Sequence, residues 1–195
     1  MQSLLPLILQ AAPPAPVSSP VTGADLAAIL PVLILFGTGA LVLLIDLFSG
    51  AEAADGETRK PALHFLSILG AVIAGAQICG ALAAPDLGPR GFFLDALRID
   101  KFSLAMSLLI VLGAAFSLLG AADSLRRRGL EHGEFHALVL FGAGSMILFT
   151  QSASLIMAFL SLETLSMAVY VLTAYTRDEK RSVEGALKYF ILGGL

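Results

Sequence analysis

QSASLIMAFLSLETLSMAVYVLTAY, residues 151–175, is an apolar run of membrane-spanning length with one carboxylate, Glu163, near its middle. About 20 apolar residues at ~1.5 Å per residue cross the hydrocarbon of a bilayer. An ionisable group at that depth is expensive, and such residues usually line a cavity or an ion path. Lys188 follows 25 positions later, just inside the next apolar run, ALKYFILGGL. The two groups are the first candidates for function, and the remaining chain reads as their frame.

Glu163 lies nine residues from the outer end of its run and twelve from the inner, roughly 12–18 Å from either surface. Ser166, Tyr170 and Thr173 stand at i+3, i+7 and i+10, which puts a hydroxylic stripe on the same helix face. A carboxyl there can change protonation state as a cation or water approaches and leaves, as a proton relay requires. The structural alternative is a protonated Glu that only donates an interhelical hydrogen bond. Lys188 is five residues into its helix, about 7 Å deep, where its stem still reaches the headgroups. Glu184 at i−4 offers it a local partner, so the residues alone favour a snorkelling or locally paired lysine.

Composition supports the membrane reading. With 57% hydrophobic and 14% charged residues and a mean hydropathy of +0.87, the chain departs from soluble domains, which run near ~45–50% and ~25%. A net charge of −3 over 195 residues gives no basic field, so nucleic acid is not an expected partner. Cys79 is the single cysteine, which rules out an intrachain disulfide and a cysteine metal cage.

Runs of roughly 17–25 apolar residues mark five spans and the opening of a sixth: 26–48, 62–84, 102–122, 135–150, 154–175 and 183 onward. This predicts an all-α polytopic helix bundle. Residues 1–24 read as a Pro-rich leader without Lys or Arg, with a cleaved signal peptide as the alternative. Residues 25–150 hold spans one to four, and 151–195 hold spans five and six, the last cut short. The tight QSAS turn makes spans four and five antiparallel neighbours. Phe93, Asp95, Leu97 and Ile99 alternate with Leu94, Ala96, Arg98 and Asp100, the pattern of a short surface strand. Gly70, Gly75, Gly80, Gly142 and Gly144 are candidate helix contacts. His132 and His136 share a zinc-like i, i+4 spacing, but Gly129 and Gly133 weaken a helix there and no further ligand is evident; no metal is expected. No phosphate loop or haem-ligand pattern occurs either.

The motif AFLSLETLSMAVYVLTAYTRDEKRSVEGALKYFILG resembles helices five and six of the antiporter-like membrane subunits of proton-pumping NADH–quinone oxidoreductase, respiratory complex I, in its subunit N branch. LRIDKFS before span three and EFHALVLFGAGSMILFTQSASL through span four fit as well. The likeness runs from Asp25 to Leu195, and the lack of Trp before Glu163 favours that branch over its larger paralogues. It implies a fourteen-helix fold, of which this chain holds the first part. It also implies that Glu163 is the helix-five carboxylate of a proton path and Lys188 the lysine of helix six; the two depths alone leave an axial gap of ~10 Å between them, too long for direct contact but within reach of one or two waters. Further implications are other complex I membrane subunits and the bilayer as partners, and no cofactor in this chain, with NADH, quinone, FMN and Fe–S clusters held elsewhere. A cation/proton antiporter subunit and a non-catalytic membrane scaffold are the alternative functions.

Loops one, three and five carry eight Lys and Arg together against three in loop two. The positive-inside rule therefore places those loops in the cytoplasm and the N-terminus outside, in a bacterial inner membrane or else an organellar one. An Arg127→Cys variant in loop three should react with a membrane-impermeant thiol reagent only from the cytoplasmic side; efficient labelling of intact cells from outside would reverse the topology.

Overall fold

The chain forms a bundle of antiparallel helices in a computed structural model that describes residues 23–50, 61–84, 90–130 and 132–193. Residues 51–60 of loop one and all but the end of the leader lie outside the described residues. A short helix α1 (Gly23–Ala28) leads into α2 (Leu30–Gly50), then α3 (Pro61–Leu82), a hairpin of β1 (Arg90–Phe92) and β2 (Leu97–Ile99), α4 (Lys101–Arg127), α5 (Gly133–Gln151), α6 (Leu155–Thr173) and α7 (Lys180–Gly193). The six expected spans correspond to α2 through α7. Five of them, α2 to α6, are long and apolar enough to cross a membrane, so the chain is a multi-pass membrane protein.

Local sequence sets the helix ends. Asp100 caps α4 by accepting from the Ser103 amide at 2.7 Å, while the Ser103 hydroxyl accepts from the Asp100 amide at 3.0 Å, a capping box that satisfies two orphan donors. At the other end Gly129 takes φ +66° and the Leu130 amide donates to the Leu125 carbonyl at 3.0 Å, closing the helix as a Schellman motif. Ser154 caps α6 through the Met157 amide. The residue before α5, His132, makes no side-chain cap. Its place is taken from another helix: Asp46 near the end of α2 accepts from the Gly133 amide at 2.8 Å. The glycine judged a weak helix start is thus required, because a Cβ on Gly133 would sit 2.8 Å from the Asp46 Cβ.

The core is made where α2, α3, α4 and α5 meet, with Leu35, Ile78, Leu118, Leu140 and Ile147 fully buried. Half of the α5 span is buried but only 11% of the α6 span. Thus α5 is the axis, α6 packs along one side of it, and α7 packs on α6. Close approach depends on some of the expected glycines. A Cβ on Gly70 would meet Thr38 at 2.5–2.8 Å, and one on Gly144 would meet the Phe36 ring at 3.1 Å. Gly75 and Gly142 make only ordinary contacts, and Gly80 faces open space, so the latter is corrected as a contact residue. Gly39, against the Phe141 ring at 2.7 Å, belongs in the set and was missed.

The strand expected over residues 93–100 also needs correction. Only Leu97–Ile99 is extended; it pairs antiparallel with Arg90–Phe92 in the register Arg90↔Ile99, Gly91↔Arg98, Phe92↔Leu97. Phe93, Leu94 and Asp95 form the turn, all at positive φ between 52° and 60°. Such backbone is costly for residues other than Gly. It is held by the Phe93 amide donating to Asp25 Oδ1 at 3.1 Å and by the Ala153 amide donating to the Ala96 carbonyl at 2.9 Å. The hairpin closes one end of the bundle, opposite the Asp46–Gly133 end.

Because Thr38 is β-branched and stiff, Gly70→Ala cannot be absorbed by a rotamer change. It should destabilise the detergent-solubilised chain by about 1–3 kcal/mol in a denaturation series, whereas Gly80→Ala should leave the midpoint unchanged or slightly raised.

Candidate functional site

Helix α6 presents two faces. Ser161, Leu165, Ala168 and Leu172 recur at helical spacing, and of these Ser161 and Ala168 are buried; Leu165 and Ala168 reach Gly142 of α5. Glu163, two residues from Ser161 and so nearly opposite on the wheel, is exposed on the far face. It is the ninth of nineteen residues, at the middle of the span. Among the described residues it makes no hydrogen bond or ion pair.

The expected hydroxylic stripe divides. Ser166 and Tyr170 are half-buried on the Glu163 side. The Tyr170 ring packs edge-on against Tyr189 and Phe190 of α7, with centroids 5.1 and 5.5 Å away. Thr173 is exposed and its hydroxyl bonds back to the Val169 carbonyl at 2.8 Å, so it belongs to its own helix end. Lys188 is exposed, and its ammonium is paired with Glu184 one turn earlier. The structure therefore brings Tyr170 to α7 but joins Glu163 and Lys188 by no bond. Lys188 takes the locally paired arrangement that its spacing from Glu184 favoured.

A second polar cluster gathers at the Asp46 end. A cavity of about 390 Å3 is lined by Leu130, His132, Glu134, Tyr175, Arg177 and Asp178. Arg177 pairs with Glu134 at 3.2 Å and Arg128 with Glu179 at 3.6 Å, joining loops three and five. The Tyr175 hydroxyl donates to the Leu130 carbonyl at 3.1 Å. Burial, followed by the Glu134 charge, pushes the Tyr175 phenol up to about 12. The suggested His132 and His136 pair does not form: His132 is exposed, while buried His136 turns to His64 of α3, with Nε2 3.1 Å from His64 Nδ1. Among the described residues no three potential ligands converge on a metal position.

The sequence of this segment carries a family likeness. Residues 152–195 match the family model described as NADH:quinone oxidoreductase/Mrp antiporter, TM. Over that segment the chain is similar to this antiporter-like membrane family. Curated relatives agree. The chain is 37% identical over 155 residues to NADH-quinone oxidoreductase subunit N 1 of Herpetosiphon aurantiacus, covering 79% of this chain and 29% of that protein. It is 35% identical over 170 residues to subunit N of Chloroflexus aggregans, covering 87% and 33%, and 35% over 181 residues to subunit N of Xanthomonas euvesicatoria, covering 92% and 35%. It spans about a third of the length of these relatives.

Three polar residues escaped sequence reasoning. Asp46 and His64 have no partner visible in their own segments, since their contacts lie 87 and 72 positions away. Gln151, 2% exposed, donates to Ser107 at 3.4 Å and keeps a buried Oε1 without a hydrogen bond. Its signal was a carboxamide at the edge of an apolar run.

The neutral Tyr175 phenol makes a hydrogen bond that its phenolate cannot donate. Its folded value is raised, so this contribution is present below about pH 10 and lost as pH climbs toward about 12. In an alkaline absorbance titration of the three tyrosines, Tyr175→Phe should delete the late-ionising phase and, near neutrality, cost about 0.5–1.5 kcal/mol of stability.

Proposed function

We propose that this chain is the front part of a proton-translocating membrane subunit of an NADH–quinone oxidoreductase, and that Glu163 takes up and releases a proton in it. The carrying observation is one carboxyl at the centre of an apolar span, on the face turned away from α5. A carboxylate left against lipid at that depth is costly, so in the membrane this face is covered by protein or water. The names of the relatives support the enzyme class. Oxidation of NADH and reduction of quinone belong to other subunits with their FMN and Fe–S centres, and this chain contributes to translocation only.

In this reading the neighbouring complex I subunits and the bilayer are the partners, and the membrane is the bacterial cytoplasmic one. The Asp46 end faces the cytoplasm and the hairpin end the outside, as the distribution of Lys and Arg favours. Ser166 and the Tyr170 hydroxyl, on the Glu163 side of α6, are placed to order water beside the carboxyl. Lys188 joins the path when its ammonium leaves Glu184, an exposed pair held by little.

A scaffold reading, with Glu163 used only for packing, is separated by one variant. In an assembled complex, Glu163→Gln keeps the shape and hydrogen-bonding capacity but cannot ionise. Proton-transfer groups are worth ~10²–10⁴-fold, so proton pumping driven by NADH should fall by about tenfold or more while assembly stays normal. Unchanged pumping by a normally assembled complex would sink the relay, and sodium-dependent exchange without NADH oxidation would move the chain to the antiporters.

A further inference from the structure

We propose that Tyr170 is a positioning residue: its ring is seated on the bare backbone of Gly193, and this seat sets the rotation of α7 and with it the placement of Lys188. Its bearing on proton transfer rests on the relay proposed for Glu163 and Lys188.

Contacts mark the face that α7 turns to α6. The Ser182 hydroxyl donates to the Thr173 carbonyl at 2.6 Å, and Ala186 is the buried residue of α7. Tyr189 and Phe190 meet the Tyr170 ring edge-on at interplanar angles of 89° and 87°, and Gly193 lies against the tip of the same ring. Counted from Ser182, these residues recur at helical spacing and form one stripe. Lys188, two residues from Ala186, falls nearly opposite that stripe. It is exposed there and paired with Glu184 on its own side of the helix. Glu163 stands seven residues before Tyr170, on the same side of α6 as that ring. The lysine is thus turned away from the helix whose carboxyl it would serve. Ser182 anchors the start of the stripe, and Tyr170 holds its far end, where Lys188 lies.

The fit at Gly193 is what makes the seat selective. A Cβ there would overlap the Tyr170 hydroxyl and lie 3.1 Å from its Cζ. A free tyrosine tip could swing clear of a methyl group. This ring is already in contact with Tyr189 and Phe190, and a change of χ1 would carry it off both. Any side chain at position 193 therefore forces α7 to shift or turn, and Lys188 moves with it.

The contact and its consequence are tested separately. The full chain, isotope-labelled at tyrosine Cζ and glycine Cα and reconstituted in phospholipid vesicles, should give a Tyr170 Cζ to Gly193 Cα cross-peak in solid-state NMR, assigned by its loss in Tyr170→Phe. The consequence is read as protons pumped per NADH oxidised by the assembled complex, a ratio that a lower yield of complex leaves unchanged. Gly193→Ala should lower it about tenfold, since a misplacement of ~1 Å can cost ~10²-fold. Tyr170→Phe removes the overlapping oxygen and leaves a ring carbon 3.1 Å away, which has only a few tenths of an ångström to give. Added to Gly193→Ala, it should restore the ratio to that of Tyr170→Phe alone. An absent cross-peak in the unsubstituted chain overturns the proposal without any variant. So does a doubly substituted complex no better than Gly193→Ala, or a Gly193→Ala ratio that stays unchanged where Glu163→Gln lowers it. A ratio unchanged in both variants strikes the relay, and the positioning role falls with it while the cross-peak remains.

Discussion

Hydrocarbon offers no partner to a free amide, so each helix end in this bundle must be closed by the protein or lifted to water. For α5, the helix against which the others pack, that closure comes from outside its own segment. Asp46 reaches across from α2 to accept the first amide of α5, and it needs Gly133 there because any side chain would collide with it. One carboxylate therefore fixes both where α5 begins and how α2 stands beside it. The partial positive charge of a helix N-terminus favours the arrangement further. Tyr175 and the Arg177–Glu134 pair then tie the next connection to the same end.

With the ends held, packing between them follows from size more than hydrophobicity, since lipid tails are as apolar as leucine. Gly39 lies under the Phe141 ring and Gly144 under the Phe36 ring, and the two rings stack on each other with centroids 5.5 Å apart at 29°. Each glycine makes room for the aromatic ring that the opposite helix inserts. Thr38 against Gly70 repeats the device between α2 and α3 without an aromatic ring. This close van der Waals fit has no counterpart on the outer faces of α6 and α7, where Leu155, Ile156 and Leu192 are open.

The spans were legible because their signal is local: run length, and caps such as Asp100 and Ser154 directly before an apolar stretch. Helix limits accordingly agree within a few residues, and the proximity of spans four and five followed from a four-residue turn. Lys188 with Glu184 was equally readable as an i−4 pair. What the chain did not disclose is long-range. Nothing in the sequence around Asp46 names Gly133 as its partner, and nothing near His64 names His136. The hairpin was misread for a related reason. Alternation along residues 93–100 is indifferent to whether the chain runs straight or folds back on Arg90–Phe92, and three left-handed non-glycine residues in a row are a state that only tertiary bonds to Asp25 and Ala153 sustain. Likewise Gly70 and Gly80 look alike in sequence, and only the position of Thr38 separates them.

Charge and burial are arranged in opposition here, and that bears on where the chemistry lies. Past Glu134 in its first turn, α5 carries no Asp, Glu, Lys or Arg, although it is the best-buried helix. Helix α6, the least buried of the five spans, carries Glu163 at its midpoint. Were the carboxyl needed only to join helices within this bundle, the economical place for it would be the Ser161–Ala168 face, where α5 already packs. It stands instead on the opposite face, and Tyr170 of that same face holds α7 beside it. Under the proposed relay, an ionisable group in that position would be matched to the protein or ordered water that covers the face turned away from α5. In the relay we propose, the described core would serve as the rigid wall of the Glu163 site, with the other wall supplied from outside it.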